Sequence, residues 1–228
     1  YRYEEYGPWM HETMEFADHA GEQVLEVGGG LGTDLAQFAL NGAHITDLDL
    51  SAGHLHHARR NFELRGLDGR FVHDDAETMP FDDKTFDVVY SNGVIHHTPN
   101  TQHVIDEMWR VLRPGGKAIV MVYAEHSLHY WRTLFWRSGI TEEMLRGCSM
   151  GEIMSRGVEL SSEDQRPLVK VYTAERLQRM FSRFDNVSVV KRQLTRPEVP
   201  WALRWMNPDT LGQWMGWNLV VKGFRPRT

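Results

Sequence analysis

Short apolar runs and helix-period stretches alternate along the first half of the chain. "QVLEV" (23–27) is nearly continuous in buried-type residues, and a helical pattern follows it from Thr33 to about Asn41. "AHITDLDL" (43–50) repeats the apolar run, and Ser51 offers an N-cap for a helix reaching about Leu64. The same alternation predicts strands in "GRFVHDD" (69–75), "TFDVVYSN" (85–92) and "GGKAIVMVY" (115–123), with a helix around Thr101–Leu112. Strands followed by helices at this spacing imply βαβ units and a mostly parallel sheet covered on both faces. Right-handed crossovers then make that sheet doubly wound.

The alternation stops after Tyr123. Residues 124–167 hold helix-like and loop-like pieces without a clear strand, which predicts a helical insertion after the fifth strand, lying over one edge of the sheet. A helix near Thr173–Ser182, a strand in "NVSVVKRQL" (186–194) and a last strand in "WNLVVKG" (217–223) complete the pattern. A tryptophan-rich stretch, Pro197 to Gly216, lies between those two strands. The expected architecture is a single α/β domain with a seven-stranded, Rossmann-like sheet. Its parts are an N-terminal segment (1–21), a core (22–123), the insertion (124–167) and a C-terminal helix and hairpin (168–228).

Composition narrows the partners. The formal net charge of −6 leaves no basic footprint for nucleic acid and does not suggest tight binding to an anionic membrane. No run of eighteen apolar residues offers a membrane span. The one cysteine, Cys148, excludes an internal disulfide and fits a reducing compartment. With no signal-like segment in "YRYEEYGPWM", a cytoplasmic protein acting on a small molecule is expected. Composition leaves the oligomeric state open.

The stretch "VLEVGGGLGTDLAQFAL" carries the chemistry. A glycine-rich turn between a strand and a helix brings bare N–H groups and a helix N-terminus up to a ligand. A dinucleotide site requires G-x-G-x-x-G, but Thr33 stands where the third glycine belongs. The nineteen-residue step from Gly30 to Asp49 suits either NAD or S-adenosylmethionine, because both need a carboxylate for ribose hydroxyls. Two later features separate them: the acid–alanine pair Asp75–Ala76 beyond the third strand, and a Pro-Gly-Gly turn before the fifth.

Taken in order, "VLEVGGGLGTD", "ITDLDLS", "HDDAETMPF", "FDVVYSNGVIHH" and "RVLRPGGKAIVMV" resemble the class I S-adenosylmethionine-dependent methyltransferases, in particular the small-molecule group called methyltransferase type 11. The resemblance covers roughly residues 22–123. It implies a reversed last strand, S-adenosylmethionine as cofactor and S-adenosylhomocysteine as product. It also assigns a site. Glu26 and Gly28 would face the methionine end, and Gly30 and Gly32 would allow close approach. Asp49, followed by Leu50, would take the ribose, and Asp75 and Ala76 the adenine. Ser91 and Asn92 would lie beside the sulfonium. Asp47 reads as a supporting residue or a second ribose contact, and Asp34 as a helix-dipole complement within reach of the ammonium.

Transfer of a methyl from a sulfonium is an in-line displacement that rests on positioning, and a base is required only for a protonated nucleophile. His96 and His97, just past the fourth strand, are candidates for that base or for capping and packing there. Tyr3 and Tyr6 are candidates for a lid, and His126, His129 and Tyr130 for contact with the acceptor. The dense aromatics of the insertion and the tryptophan-rich stretch suit either an apolar acceptor or ordinary packing. No metal-ligand spacing compels a metal. The acceptor atom, O, N or C, stays open. An NAD-dependent oxidoreductase would need the missing glycine spacing. A binder that keeps the cofactor without transferring its methyl would show the same site and release no S-adenosylhomocysteine.

Overall fold

The computed structural model describes residues 2–157 and 168–227, apart from the side chains of Glu5 and Tyr6. Among them, eight strands build one sheet: β1 (Gln23–Val27), β2 (His44–Asp49), β3 (Arg70–His73), β4 (Phe86–Asn92), β5 (Leu112–Ala124), β6 (Val171–Tyr172), β7 (Asp185–Arg192) and β8 (Asn218–Phe224). The order is β3-β2-β1-β4-β5-β8-β7, with the two-residue β6 paired to the far end of β5. Pairing is parallel except at β8, which runs antiparallel to both β5 and β7. The doubly wound sheet with a reversed last strand is thus present, and the extra strand is too short to leave a periodic trace in the sequence.

Neighbouring residues on each central strand serve opposite cores, which is why these strands read as continuous apolar runs. On one face Val24, Val88, Tyr90 and Ile119 meet α1 (Met10–Met14) and α2 (Thr33–Leu40), with Phe62 of α3 (Ala52–Arg65). On the other, Leu25, Val89, Val120 and Val122 meet α4 (Thr101–Val111) and α6 (Ala174–Met180). Side-chain caps start these helices where the sequence places them: Ser51 accepts from His54 N–H, Asn100 from His103 and Thr173 from Arg176.

The insertion does not lie over a sheet edge. Its helical segment His129–Thr141 and α5 (Met150–Gly157) rest beyond the carboxyl end of β5, a central strand, where Leu134 and Met154 share a small core with Trp217 and Val169. Residues 158–167 of the predicted insertion lie outside the described residues. The tryptophan-rich stretch contains α7 (Pro208–Met215), started by Asn207, whose side chain accepts from Asp209 N–H, with proline at its first position.

Candidate active site

A cavity of about 610 Å³ opens at the carboxyl ends of β1, β2 and β4. The turn after β1 forms its floor, and its glycines answer to different demands. Gly30 lies at φ +56° with nothing near the position of a Cβ, so here the chain borders open cavity and the glycine answers to the backbone conformation. Gly32, at φ +69°, is absent from the lining, and a Cβ there would press on Ala58 of α3 at 3.1 Å. Its glycine therefore serves helix packing rather than cofactor approach. A Cβ at Gly29 would stand 2.5 Å from Asp47 Oδ1, and one at Gly28 would strike Val94.

Four carboxylates gather around this turn, each in a different condition. Asp49 Oδ1 accepts from Ser51 N–H (2.8 Å), and Oδ2 accepts from Gly30 N–H (3.2 Å) and faces His54 Nδ1 (3.3 Å). It lines the cavity together with Leu50 and His54. Asp47 is fully buried beneath the turn and accepts from Gly29 N–H at 3.1 Å. Burial, with Asp49 beside it, pushes its pKa up to about 7. It does not line the cavity and supports the turn from beneath.

Asp34, at the start of α2, is saturated. Arg2 donates to it through Nε and Nη2 (2.9 and 2.8 Å), Tyr3 Oη at 2.6 Å, Tyr90 Oη at 2.9 Å and Asn92 Nδ2 at 2.6 Å. With both oxygens spent, it is not the acceptor for an ammonium in this state. Arg2 and Tyr3 thereby pin the N-terminal segment across the site, and Tyr3 reaches it through Asp34 rather than by lining the cavity. The side chain of Tyr6 lies outside the described residues.

Glu26 is the complement of Asp34. Its carboxyl lines the cavity almost fully buried, and Oε2 has no hydrogen-bond partner among the described residues. Burial first, then the charges of Asp34 and Asp47, raise its pKa well above the ordinary range. Asn92 Oδ1, on the same wall, is likewise buried without a partner. Two orphaned acceptors suit a ligand that brings N–H donors, above all a cation that would return Glu26 to its charged form.

Asp75 and Ala76 line the far side of the cavity. Asp75 Oδ1 accepts from Glu77 N–H at 2.9 Å, which shapes that turn. Of three other candidates, two fall outside the cavity and the third, His97, lines it. Ser91 is fully buried, and its hydroxyl donates to Val27 O at 2.9 Å, tying β4 to β1 away from either cavity. His96 is fully buried outside both cavities with its ring against Tyr123, 4.2 Å between centroids, and both ring nitrogens lack hydrogen-bond partners among the described residues. Burial, then the neighbouring His97, holds its pKa well below the usual value, so it is a neutral packing residue. His97 lines the larger cavity, with Nδ1 2.6 Å from Leu168 O.

A second cavity of about 460 Å³ adjoins the first and shares Arg2, Asn92 and Gly93 with it. Its apolar wall is Trp9, Met10, Met121, Tyr123 and Trp217, the last two stacked at 4.6 Å. Its polar wall holds Gln193, Thr195, Glu198, Asn218 and His129. His129 Nδ1 stands 3.4 Å from Glu198 Oε1, while Glu198 Oε2 accepts from Thr195 N–H (2.8 Å) and Oγ1 (2.6 Å). Burial opposes ionisation of Glu198, but the hydrogen bonds of His129 and Thr195 win and pull its pKa down to about 2. His126 and Tyr130 are outside this chamber: His126 is exposed, its carbonyl accepting from Lys191, and Tyr130 packs edge-on to Trp131. No sequence motif announces Glu198 or Gln193, because they enter from a loop after β7.

Comparison with known proteins fits this geometry. Residues 25–120 match the family model described as a methyltransferase domain. Across 191 residues the chain is 34% identical to a phthiotriol/phenolphthiotriol dimycocerosates methyltransferase of Mycobacterium tuberculosis, covering 82% of this chain and 68% of that one. The chain belongs to the methyltransferase family. Its architecture is that of the class I, S-adenosylmethionine-dependent enzymes. A demethylmenaquinone methyltransferase of Clavibacter sepedonicus is 38% identical over 113 residues, 49% of this chain and 45% of that one. The chain thus spans less than half the length of that relative. A SAM-dependent methyltransferase structure from Methanosarcina mazei shares the fold at a TM-score of 0.63 and 18% identity, covering 94% of this chain and 97% of the other.

Proposed function

We propose that this methyltransferase moves the methyl group of S-adenosylmethionine onto a hydroxyl oxygen of a small, lipophilic acceptor. The carrying observation is the His129–Glu198 pair in an aromatic-walled chamber that adjoins the glycine-rimmed cavity. The named substrates of the two relatives, a demethylmenaquinone and phthiotriol dimycocerosates, are in keeping with a lipophilic acceptor.

In this reading Glu26 and Asn92 Oδ1 receive the ammonium of the cofactor, Asp49 takes ribose hydroxyls in competition with His54, and Asp75 and Ala76 flank the adenine. S-adenosylmethionine supplies an electrophilic methyl on a sulfonium when bound. The chain's own work is on the acceptor. Tyr123 and Trp217 hold its apolar body, and Arg2 and the N-terminal segment close over the site and exclude water. A carboxylate only accepts, so His129 Nδ1 carries the hydrogen toward Glu198 and Nε2 keeps its lone pair. The hydroxyl proton passes to Nε2, and the resulting imidazolium is paired with Glu198.

The test is methyl transfer from radiolabelled S-adenosylmethionine into a lipid extract, followed by product analysis. Label in an ether of an extractable molecule supports the reading. Label on a carbon or nitrogen overturns the acceptor assignment. Cofactor binding without S-adenosylhomocysteine release would leave either an extract that lacks the acceptor or a non-methylating binder.

A further inference from the structure

Five of the eight tryptophans are exposed, and all five lie on two segments, 131–136 and 201–214. Trp201 and Trp205 are 84% and 82% accessible, Trp214 71%, Trp136 62% and Trp131 48%. They are therefore neither core nor chamber wall, the two roles the sequence offered them. The segments are neighbours: Arg132 Nη1 donates to Glu198 O, Leu128 packs on the small core of Leu194, Val199 and Leu211, and Lys191 Nζ binds both His126 O and Trp214 O. An indole left in water at one site is ordinary, but five on adjoining segments mark a contact surface.

Charge identifies what meets it. The chain carries −6 overall, yet these segments and the residues flanking them place Arg132, Arg137, Arg196 and Arg204 near the tryptophans, all exposed. Arg137 shares its charge with Glu142, Glu198 is turned inward to Thr195 and His129, and Asp209 sits at the start of α7. Indoles with interspersed arginines, on a protein otherwise acidic, are the composition of a surface lying in a lipid headgroup layer. A groove of about 410 Å³ opens on this face beside Trp136, and its inner wall is His129 and Glu198, which also line the acceptor chamber.

We propose that this tryptophan–arginine face docks on an anionic bilayer, so that a lipid-dissolved acceptor enters through the groove between His129–Thr141 and Pro197–Glu198. The entry route rests on the acceptor assignment above, whereas the docking surface rests only on the exposed residues.

The experiment is co-sedimentation of the full chain with vesicles of equal parts phosphatidylglycerol and phosphatidylcholine, without cofactor or acceptor, so its outcome is independent of methyl transfer. Binding is expected, with blue-shifted tryptophan fluorescence and quenching by brominated acyl chains. Trp201→Ser with Trp205→Ser should lower the partition by about tenfold or more while the far-ultraviolet dichroism stays unchanged, because both indoles are exposed. Arg132→Gln with Arg204→Gln should weaken binding to the mixed vesicles and leave pure phosphatidylcholine unaffected. Absence of sedimentation, or sedimentation without quenching, overturns the proposal. So does a dimer that the double tryptophan variant converts to monomer, which would assign the patch to a second copy of the chain.

Discussion

The two cavities meet at Arg2, Asn92 and Gly93 but are built on opposite electrostatic terms. Around the larger cavity, Glu26 and Asp47 are buried carboxyls with raised pKa values and, among the described residues, an unpartnered oxygen each. In the second cavity, Glu198 is supplied with donors by Thr195 and His129 and stays ionised. One region is short of positive charge until a ligand brings it, and the other is neutralised from within. The lesson is that carboxylates clustered around a site differ in role by what already satisfies them.

The largest effect should come from the internally paired side. His129→Asn should lower kcat by about 10²–10⁴-fold, the ordinary worth of a positioned base, with cofactor affinity by calorimetry unchanged. Its residual rate should climb with pH as the acceptor loses its proton unaided, a recovery that a purely structural role would not produce. Next, Asp34→Ala strands the buried Tyr90 hydroxyl and Asn92 amide and unpins Arg2 and Tyr3. A loss of about 2–4 kcal/mol in denaturant unfolding is expected, with faster proteolysis near the N-terminus.

Two variants address the cation-poor side. Glu26→Gln should weaken S-adenosylmethionine and S-adenosylhomocysteine alike by about 10–100-fold, since both carry the ammonium. An equal affinity in calorimetry would remove Glu26 from the site. Asp47 has a folded value, about 7, above its unfolded value of 3.8. Its contribution to stability is therefore full below pH 3.8 and lost as pH rises toward 7. Asp47→Asn should abolish that decline and leave the apo protein more stable at pH 8 by about 2 kcal/mol, read from unfolding curves across pH. The smallest effect belongs to Ser91→Ala, which removes one buried strand tie: about 1 kcal/mol of stability and no change in cofactor affinity.

The sheet and the glycine turn after β1 were legible because their signals are local. Strand, glycine turn, helix and the carboxylate nineteen residues on occupy one βαβ unit, and backbone periodicity alone sets their relative places. Even there the sequence could not say which glycine borders the cavity. Gly30 and Gly32 look alike in "GGGLG", and only Ala58, brought in by α3, distinguishes them. Likewise nothing in "YSNGVIHH" shows that Ser91 and His96 turn into the core while Asn92 and His97 face the cavity. The α7 helix was within reach, since Asn207-Pro208-Asp209 is a capping signal.

The acceptor side could not be read in the same way. Trp9, Tyr123, His129, Gln193 and Trp217 come from five separate stretches, and no spacing between them has meaning along the chain. The sequence by itself determined the layered, mostly parallel sheet, its reversed last strand through the family resemblance, and the glycine turn after β1. Only tertiary packing decided that His129, not His96 or His126, stands with Glu198 in an aromatic chamber, and that five tryptophans face outward. Local periodicity encodes which backbone conformation a segment adopts. Proximity between distant side chains is settled only when the layers close over a common core.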